Sequence, residues 1–188
     1  RISVNFGYNY EGGAGYNGIK TIYKNKKGES KEIRWFENAG ANILFSAGSG
    51  MPYSRSSTPF SDFGLGGKSQ LSGSINGSRM PWSFTVNMRI DKEFYIKMSK
   101  KPENSNKKMY LDVYLEILNL LNTKNVIAVY RATGNPDDDG YLSAPEYQTG
   151  IQSQLDEQAF RDLYRIAVDS PYNYSLPRRI HLGVQIGF

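Results

Sequence analysis

The sequence has no cysteine and a single histidine, His181. The absence of cysteine does not by itself identify a redox compartment, although it suits a cell-envelope protein that avoids wrong disulfides. Metal sites and catalytic triads need several converging side chains, and the serine-rich stretch at 54–57 has no histidine or acidic partner at a useful spacing. We therefore expect a structural role for His181 and no enzymatic activity.

Long apolar runs are also missing. No run approaches the ~20 residues that a transmembrane helix requires, and the mean hydropathy is −0.55. These features exclude membrane-spanning helices but not a β-barrel, whose alternating strands average out as polar. The 14 tyrosines and 19 glycines favour a barrel with aromatic girdles over an average soluble domain.

The net charge of +5 arises from scattered lysines and arginines, with clusters at 24–27 and 97–108. A nucleic-acid-binding surface would need basic residues interleaved with exposed aromatic residues on one face. Both clusters instead fall in predicted turns. We interpret them as solvated turns and expect no nucleic-acid partner.

Every second residue of the last nine is apolar. The two-residue period places Ile180, Leu182, Val184, Ile186 and Phe188 on one face of a strand, with small or polar residues on the other. This tail resembles the C-terminal strand of bacterial outer-membrane β-barrels, whose alternating apolar residues and final aromatic are recognised by the barrel-assembly machinery. The resemblance implies that these five residues form the assembly signal.

The same alternation recurs along the chain and predicts five antiparallel strands. They lie near residues 2–10, 39–48, 82–96, 109–118 and 178–188. The faces opposite the apolar ones are polar or small, which a water-filled or plugged lumen tolerates and a soluble core does not. The sequence therefore predicts an all-β fold, an antiparallel transmembrane β-barrel segment.

The connections between these strands differ in length. If the last strand ends at the periplasmic rim, residues 11–38 and 97–108 are periplasmic and residues 49–80 and 123–177 are long extracellular loops. A short amphipathic helix is predicted at 153–168, with Leu155, Ala159, Leu163, Ile166 and Ala167 on its apolar face.

About five strands cannot close a membrane barrel, because an open edge would leave unpaired backbone groups in lipid. The chain also begins at Arg1, with no initiator methionine and no signal peptide before it. We therefore expect residues 1–188 to be the C-terminal part of a single larger barrel.

The third and fourth strands are predicted to form a hairpin across the turn at 99–106. Arg89 and Asp91 would then lie near Asp112 and Glu116 on the polar face. Opposite charges across an antiparallel pair contribute about 0.2–1 kcal/mol each. A solvent-facing soluble sheet would explain these charges equally well, but not the apolar opposite faces.

Residues 135–146 partly match the calcium-loop template D-x-[DN]-x-[DN]-G-x₅-E. Asparagine replaces aspartate at the first position, and Pro136 lies inside the loop. Ca²⁺ binds six to eight oxygen ligands, which carboxylates and a backbone carbonyl supply. The candidate calcium ligands are Asn135, Asp137, Asp139, Tyr141 (through its carbonyl) and Glu146. An acidic surface turn is the alternative, because Asn-Pro and Asp-Gly favour turns.

Several segments resemble the C-terminal region of TonB-dependent receptors, in particular the type with a carboxypeptidase-regulatory-like N-terminal domain. They are Gly40–Tyr53, Asn76–Pro81, Asp91–Phe94, Leu115–Val126 and Pro177–Phe188. The resemblance implies a plugged barrel of about 22 strands in the outer membrane of a Gram-negative bacterium. It also implies energised uptake of a scarce nutrient, coupled to TonB through an N-terminal box.

The resemblance likewise implies the partners. They are outer-membrane lipid, the rest of the barrel and its plug, the barrel-assembly machinery, TonB, and a surface lipoprotein or other envelope subunit. The substrate stays open, because specificity in such barrels lies in loops and plug. Two alternatives stay open as well: a non-transporting barrel subunit that scaffolds or docks an outer-membrane complex, and a soluble β-sandwich or jelly-roll binding module.

Overall fold

The computed structural model describes residues 1–24, 28–59, 70–97 and 108–187. These residues form two compact units. The sheet unit comprises Ile2–Ser46, Thr85–Thr123 and Arg178–Phe188, of which Phe188 lies outside the described residues. The loop unit comprises Ala47–Phe84 and Lys124–Pro177, together with Arg1.

The secondary structure is mostly antiparallel β. The strands are β1 Ile2–Asn9, β2 Lys20–Lys24, β3 Ser30–Arg34, β4 Ala39–Gly48, β5 Pro52–Tyr53, β6 Ser78–Arg79, β7 Ser83–Lys97, β8 Lys108–Leu118 and β9 Arg179–Gly187. The all-β antiparallel class is therefore confirmed. The strands predicted near 2–10, 39–48, 82–96, 109–118 and 178–188 correspond to β1, β4, β7, β8 and β9, with ends that differ by at most one residue.

These five strands form one sheet in the order β1-β4-β7-β8-β9. Within the described residues the sheet is open, with β1 and β9 as its edges, and it does not close into a barrel. Alternation within each strand gives the sheet an apolar face and a polar face. The antiparallel pairing of β7 and β8 is as predicted, with Arg89 opposite Glu116 and Glu93 opposite Asp112, whereas the predicted turn at 99–106 lies outside the described residues.

The predicted connection at 11–38 contains a second, two-stranded sheet of β2 and β3. Lys20 pairs with Arg34 at one end and Lys24 with Ser30 at the other. The returning strand β3 was not predicted. Charged residues of β3, such as Glu32, interrupt the alternation by which an apolar strand face is recognised in a sequence. The Glu32 carboxylate lies 3.2 Å from the Lys20 amine.

The loop unit contains two helices, α1 Pro145–Gln152 and α2 Glu157–Val168. The helix predicted at 153–168 begins later, because Asp156 is its N-cap and accepts a hydrogen bond from the Ala159 amide at 2.9 Å. Helix α1 was not predicted. Short 3₁₀ turns occur at Gly13–Gly15 and Pro171–Asn173. Among the described residues, neither α-helix has the length and apolar character to cross a membrane.

The apolar face predicted for α2 is exposed. Leu163 and Ile166 retain 68% and 72% of their accessible surface, whereas Val168 and the fully buried Ile151 of α1 form the small core of this region. The packed side of α2 carries amphipathic residues, chiefly Arg161 and Tyr164, whose polar atoms bind the preceding loop. Periodicity identified the helix but not the face that packs.

Candidate functional site

The acidic turn at 135–140 folds its side chains back onto its own backbone. The Asn135 Oδ1 accepts from the Asp137 amide at 3.0 Å, and the Asp138 Oδ1 accepts from the Gly140 amide at 2.8 Å. The Asp139 Oδ1 accepts from the Tyr141 amide at 3.0 Å. Such local bonds are the usual role of Asn and Asp in turns. Gly140 has φ +89°, a conformation that side chains disfavour.

Two tyrosines from distant positions each bind one further carboxylate oxygen of the turn. The Tyr164 hydroxyl donates to Asp139 Oδ2 at 2.6 Å, and the Tyr174 hydroxyl donates to Asp137 Oδ2. Burial, followed by the hydrogen bond to Asp139, raises the pKa of Tyr164 well above its usual range. The hydrogen bond to Asp137 raises the pKa of Tyr174 to about 12. The turn is thus pinned to α2 and to the segment after it.

The five residues predicted as calcium ligands do not all converge. Asn135, Asp137, Asp139 and Tyr141 lie in the turn, whereas Glu146 is exposed in the first turn of α1. In the described part of the chain, no three acidic or histidine side chains are grouped as a metal site would require. The carboxylates of Asp137 and Asp139 serve instead as hydrogen-bond acceptors. Calcium binding therefore stays a prediction.

An aromatic stack lies beside the acidic turn. The Tyr141 ring is 4.6 Å from that of Tyr147 and 4.8 Å from that of Tyr164, centroid to centroid, and both pairs are nearly parallel. Phe160 extends the stack at 6.0 Å from Tyr164. Aromatic pairs at these distances add about 0.5–1.5 kcal/mol beyond burial. These ring contacts stabilise the structure beside the turn. The sequence did not predict them because the rings come from three separate elements.

A cleft of about 720 Å³ lies between the acidic turn and α2. Its acidic side includes Asp137–Asp139, and its basic side includes Lys124, Arg161 and Arg165. Arg161 is fixed by Glu157 at 2.8 Å and by the Gln148 side-chain oxygen at 3.0 Å. The volume of the cleft is within the range of small-molecule sites, and the cleft is lined by charged residues of both signs. The cleft therefore offers charged groups of both signs to a polar or dipolar ligand.

The apolar face of the sheet unit is exposed. On β9, Ile180, Leu182, Val184 and Ile186 retain 55–75% of their accessible surface, and on β1, Phe6 retains 68%. These β9 residues are four of the five predicted for the assembly signal. The fifth, Phe188, lies outside the described residues. Exposed apolar surfaces of this extent mark membrane or protein contacts.

The polar face carries charges and glycines. Arg89 Nη2 lies 3.4 Å from Asp112 Oδ2, and its guanidinium lies 4.1 Å from the centroid of the Tyr114 ring. His181, expected to be structural, lies on this face with its Nδ1 3.6 Å from Glu116 Oε2. The rings of Tyr114 and Tyr110 lie close against Gly183 and Gly187 of β9. The glycines on this face thus leave room for tyrosine rings. In the sequence they were recognised only as small residues, without this packing role.

No family model matches the chain, and neither the curated proteins nor the solved structures contain a match. The protein is therefore described by its own structure. It has an open antiparallel sheet with one exposed apolar face, and a loop unit with a hydrogen-bonded acidic turn.

Proposed function

We propose that this chain is part of a TonB-dependent outer-membrane transporter barrel that takes up a nutrient. One observation carries the proposal: the sheet has an exposed apolar face opposite a face of charged, polar and small residues. Lipid would cover the first face, and the lumen would be lined by the second. The segments that resemble TonB-dependent receptors support this type of barrel.

The open edges of the sheet support the same proposal. Unpaired strand edges are not stable in lipid, so β1 and β9 would pair with further strands of the barrel. The partners would be outer-membrane lipid, the remaining barrel and plug, the barrel-assembly machinery, TonB, and a surface lipoprotein or other envelope subunit. The chain would contribute no enzymatic step.

The proposal also gives the loop unit a place. In such a barrel the connections at 49–80 and 123–177 would be extracellular, and the dipolar cleft beside the acidic turn would face arriving solutes. The alternative is a non-transporting barrel subunit that docks an outer-membrane complex. The exposed apolar face of α2 favours that alternative. Nutrient uptake that depends on an energised membrane would distinguish transport from docking.

The test uses two adjacent positions on β9 that face opposite ways. We expect Val184→Arg to lower the amount of assembled protein in the outer membrane, because an arginine facing mid-bilayer lipid costs about 2–4 kcal/mol. Gln185→Arg is the matched control and would assemble normally, because its side chain would face the lumen. Assembly is measured by detergent extraction and by heat-dependent mobility in gel electrophoresis.

A different outcome would reject the membrane assignment. If both variants accumulate equally, or if the unmodified protein fractionates without detergent, the apolar face does not meet lipid. The soluble β-sandwich alternative would then be favoured, with the apolar face covered by a second sheet.

A further inference from the structure

One carboxylate on the polar face is incompletely paired. Asp112 is 7% exposed, and its Oδ1 has no hydrogen-bond partner among the described residues. In the part of the chain that the structure describes, its Oδ2 has one long contact, at 3.4 Å from Arg89 Nη2. A buried carboxylate oxygen without a donor is costly, so nearly all such groups in proteins are paired.

Arg89 interacts with other groups besides Asp112. Its Nε also lies 3.8 Å from Asp91 Oδ1, and its guanidinium lies over the Tyr114 ring. The charges nearest to Asp112 are mostly negative, because Glu93 lies directly opposite it on β7 and Asp91 shares Arg89 with it. The other cations at the same parity, Lys97, Lys108 and Arg179, lie at the ends of the paired segments, so negative charge predominates only around the unsatisfied acceptor of Asp112.

The geometry indicates which ligand chemistry would fit. In the regions that the structure describes, no three of these carboxylates are grouped to bind a metal ion. A guanidinium or ammonium group, in contrast, brings its own N–H donors and needs only one carboxylate with a free oxygen. Asp112 supplies that oxygen, and the neighbouring Glu93 and Asp91 add attraction.

We propose that the polar face of the sheet has a cation-binding subsite centred on Asp112, which takes a guanidinium or ammonium group. The cation would donate to Asp112 Oδ1 and displace the side chains that now cover this oxygen. Gln185, directly opposite on β9, would border the subsite. This proposal requires neither transport nor membrane insertion. The cation would come from a small solute or from a lysine or arginine of a polypeptide segment.

The first experiment tests a small solute. Agmatine, which carries both a guanidinium and an ammonium group, is titrated into the full protein in detergent and followed by saturation-transfer NMR. We expect Asp112→Asn to weaken binding about tenfold or more, because a charge-assisted hydrogen bond is lost. Glu116→Gln is the matched control: it lies on the same strand and face but already pairs with His181, and its binding should match the unmodified protein.

The second experiment tests a polypeptide source. A photo-reactive benzoylphenylalanine replaces Gln185, and mass spectrometry identifies the segment that crosslinks. A crosslinked segment that carries lysine or arginine, and whose yield falls about tenfold with Asp112→Asn but not with Glu116→Gln, supports a polypeptide cation. The identity of the crosslinked segment in the unmodified Asp112 background does not depend on how well the Asp112→Asn variant folds.

Each outcome decides the proposal. Agmatine binding that depends on Asp112 identifies a solute site, and a crosslink that depends on Asp112 identifies a polypeptide site. The proposal is overturned if agmatine does not bind and no cationic segment crosslinks. It is also overturned if the two substitutions change either signal equally.

Discussion

The ring of Tyr114 occupies the place that a side chain at Gly183 would take. A Cβ atom at position 183 would lie 2.3 Å from the Tyr114 Cζ, and the two residues are direct partners across β8 and β9. The neighbouring pair repeats the relationship, because a Cβ at Gly187 would lie 2.1 Å from the Tyr110 ring. Two rings on β8 therefore lie against the two glycines of the last strand, in space that larger residues at these positions would need.

We expect Gly183→Ala to destabilise the sheet by about 1–3 kcal/mol, the usual cost of adding a methyl group where there is no room. The Tyr114 ring would have to leave its position, although alanine itself favours strands no less than glycine. The measurement is the urea midpoint of unfolding of the protein in detergent.

Gly150→Ala is the control for this substitution. Gly150 lies in α1, and a Cβ atom added there would have open space within 4 Å. Alanine should therefore leave stability unchanged or raise it by up to about 1 kcal/mol. Equal effects at 183 and 150 would mean that the ring does not pack against the glycine.

The strands could be predicted from sequence because a two-residue period is a local signal. Each of β1, β4, β7, β8 and β9 shows it without reference to any other part of the chain. The contacts between Tyr114 and Gly183 depend on register, which the local pattern does not contain. The small residues and the tyrosines of the polar face were both visible in the sequence, but the pairing of each ring with a particular glycine was not.

The loop unit was less predictable for a related reason. Its acidic turn is held by Tyr164 and Tyr174, which are 25 and 37 residues from their aspartate partners. Nothing in a local pattern links residues so distant in the chain. Helix α1 did leave a signal, because Pro145 and Glu146 stand at its first positions, where both residue types are favoured. The calcium template identified the same aspartates but predicted that they bind a metal ion rather than accept hydrogen bonds from tyrosines.

Tyr164→Phe should destabilise the loop unit by about 1–3 kcal/mol. The change removes the donor to Asp139 Oδ2, and Asp139 is only 3% exposed, so its carboxylate would lose a partner in a buried setting. Hydrogen exchange of the amides at 135–141 is the measurement. Tyr172→Phe is the matched control, since Tyr172 is 86% exposed. Equal exchange rates in both variants would contradict a stabilising role for the Tyr164 hydroxyl.

Tyr174 should titrate late. Its hydrogen bond to Asp137 requires the protonated phenol, and its pKa is raised from 10.0 to about 12. The stabilising contribution of this bond is therefore complete below pH 10 and is lost as the pH rises through about 12. The measurement is the tyrosinate absorbance of the protein minus that of Tyr174→Phe. A difference curve with its midpoint near pH 10 would show that the hydrogen bond does not form in solution.

Calcium is tested by substitution at alternating positions of the acidic turn. If the turn binds Ca²⁺ as the sequence template predicts, a Ca²⁺ concentration of ten times the dissociation constant should stabilise the protein by about 1.4 kcal/mol. This concentration is on the order of millimolar. Asp137→Asn and Asp139→Asn should each abolish this calcium-dependent increase. Asp138→Asn should retain it, because position 138 is not a ligand position in the template and its amide oxygen can still accept from Gly140. The measurement is the shift in thermal unfolding between calcium and chelator for each variant, which separates calcium binding from any change in basal stability. A shift that is absent in the unmodified protein, or equal in all three variants, would leave the carboxylates with the structural role that their tyrosine partners give them.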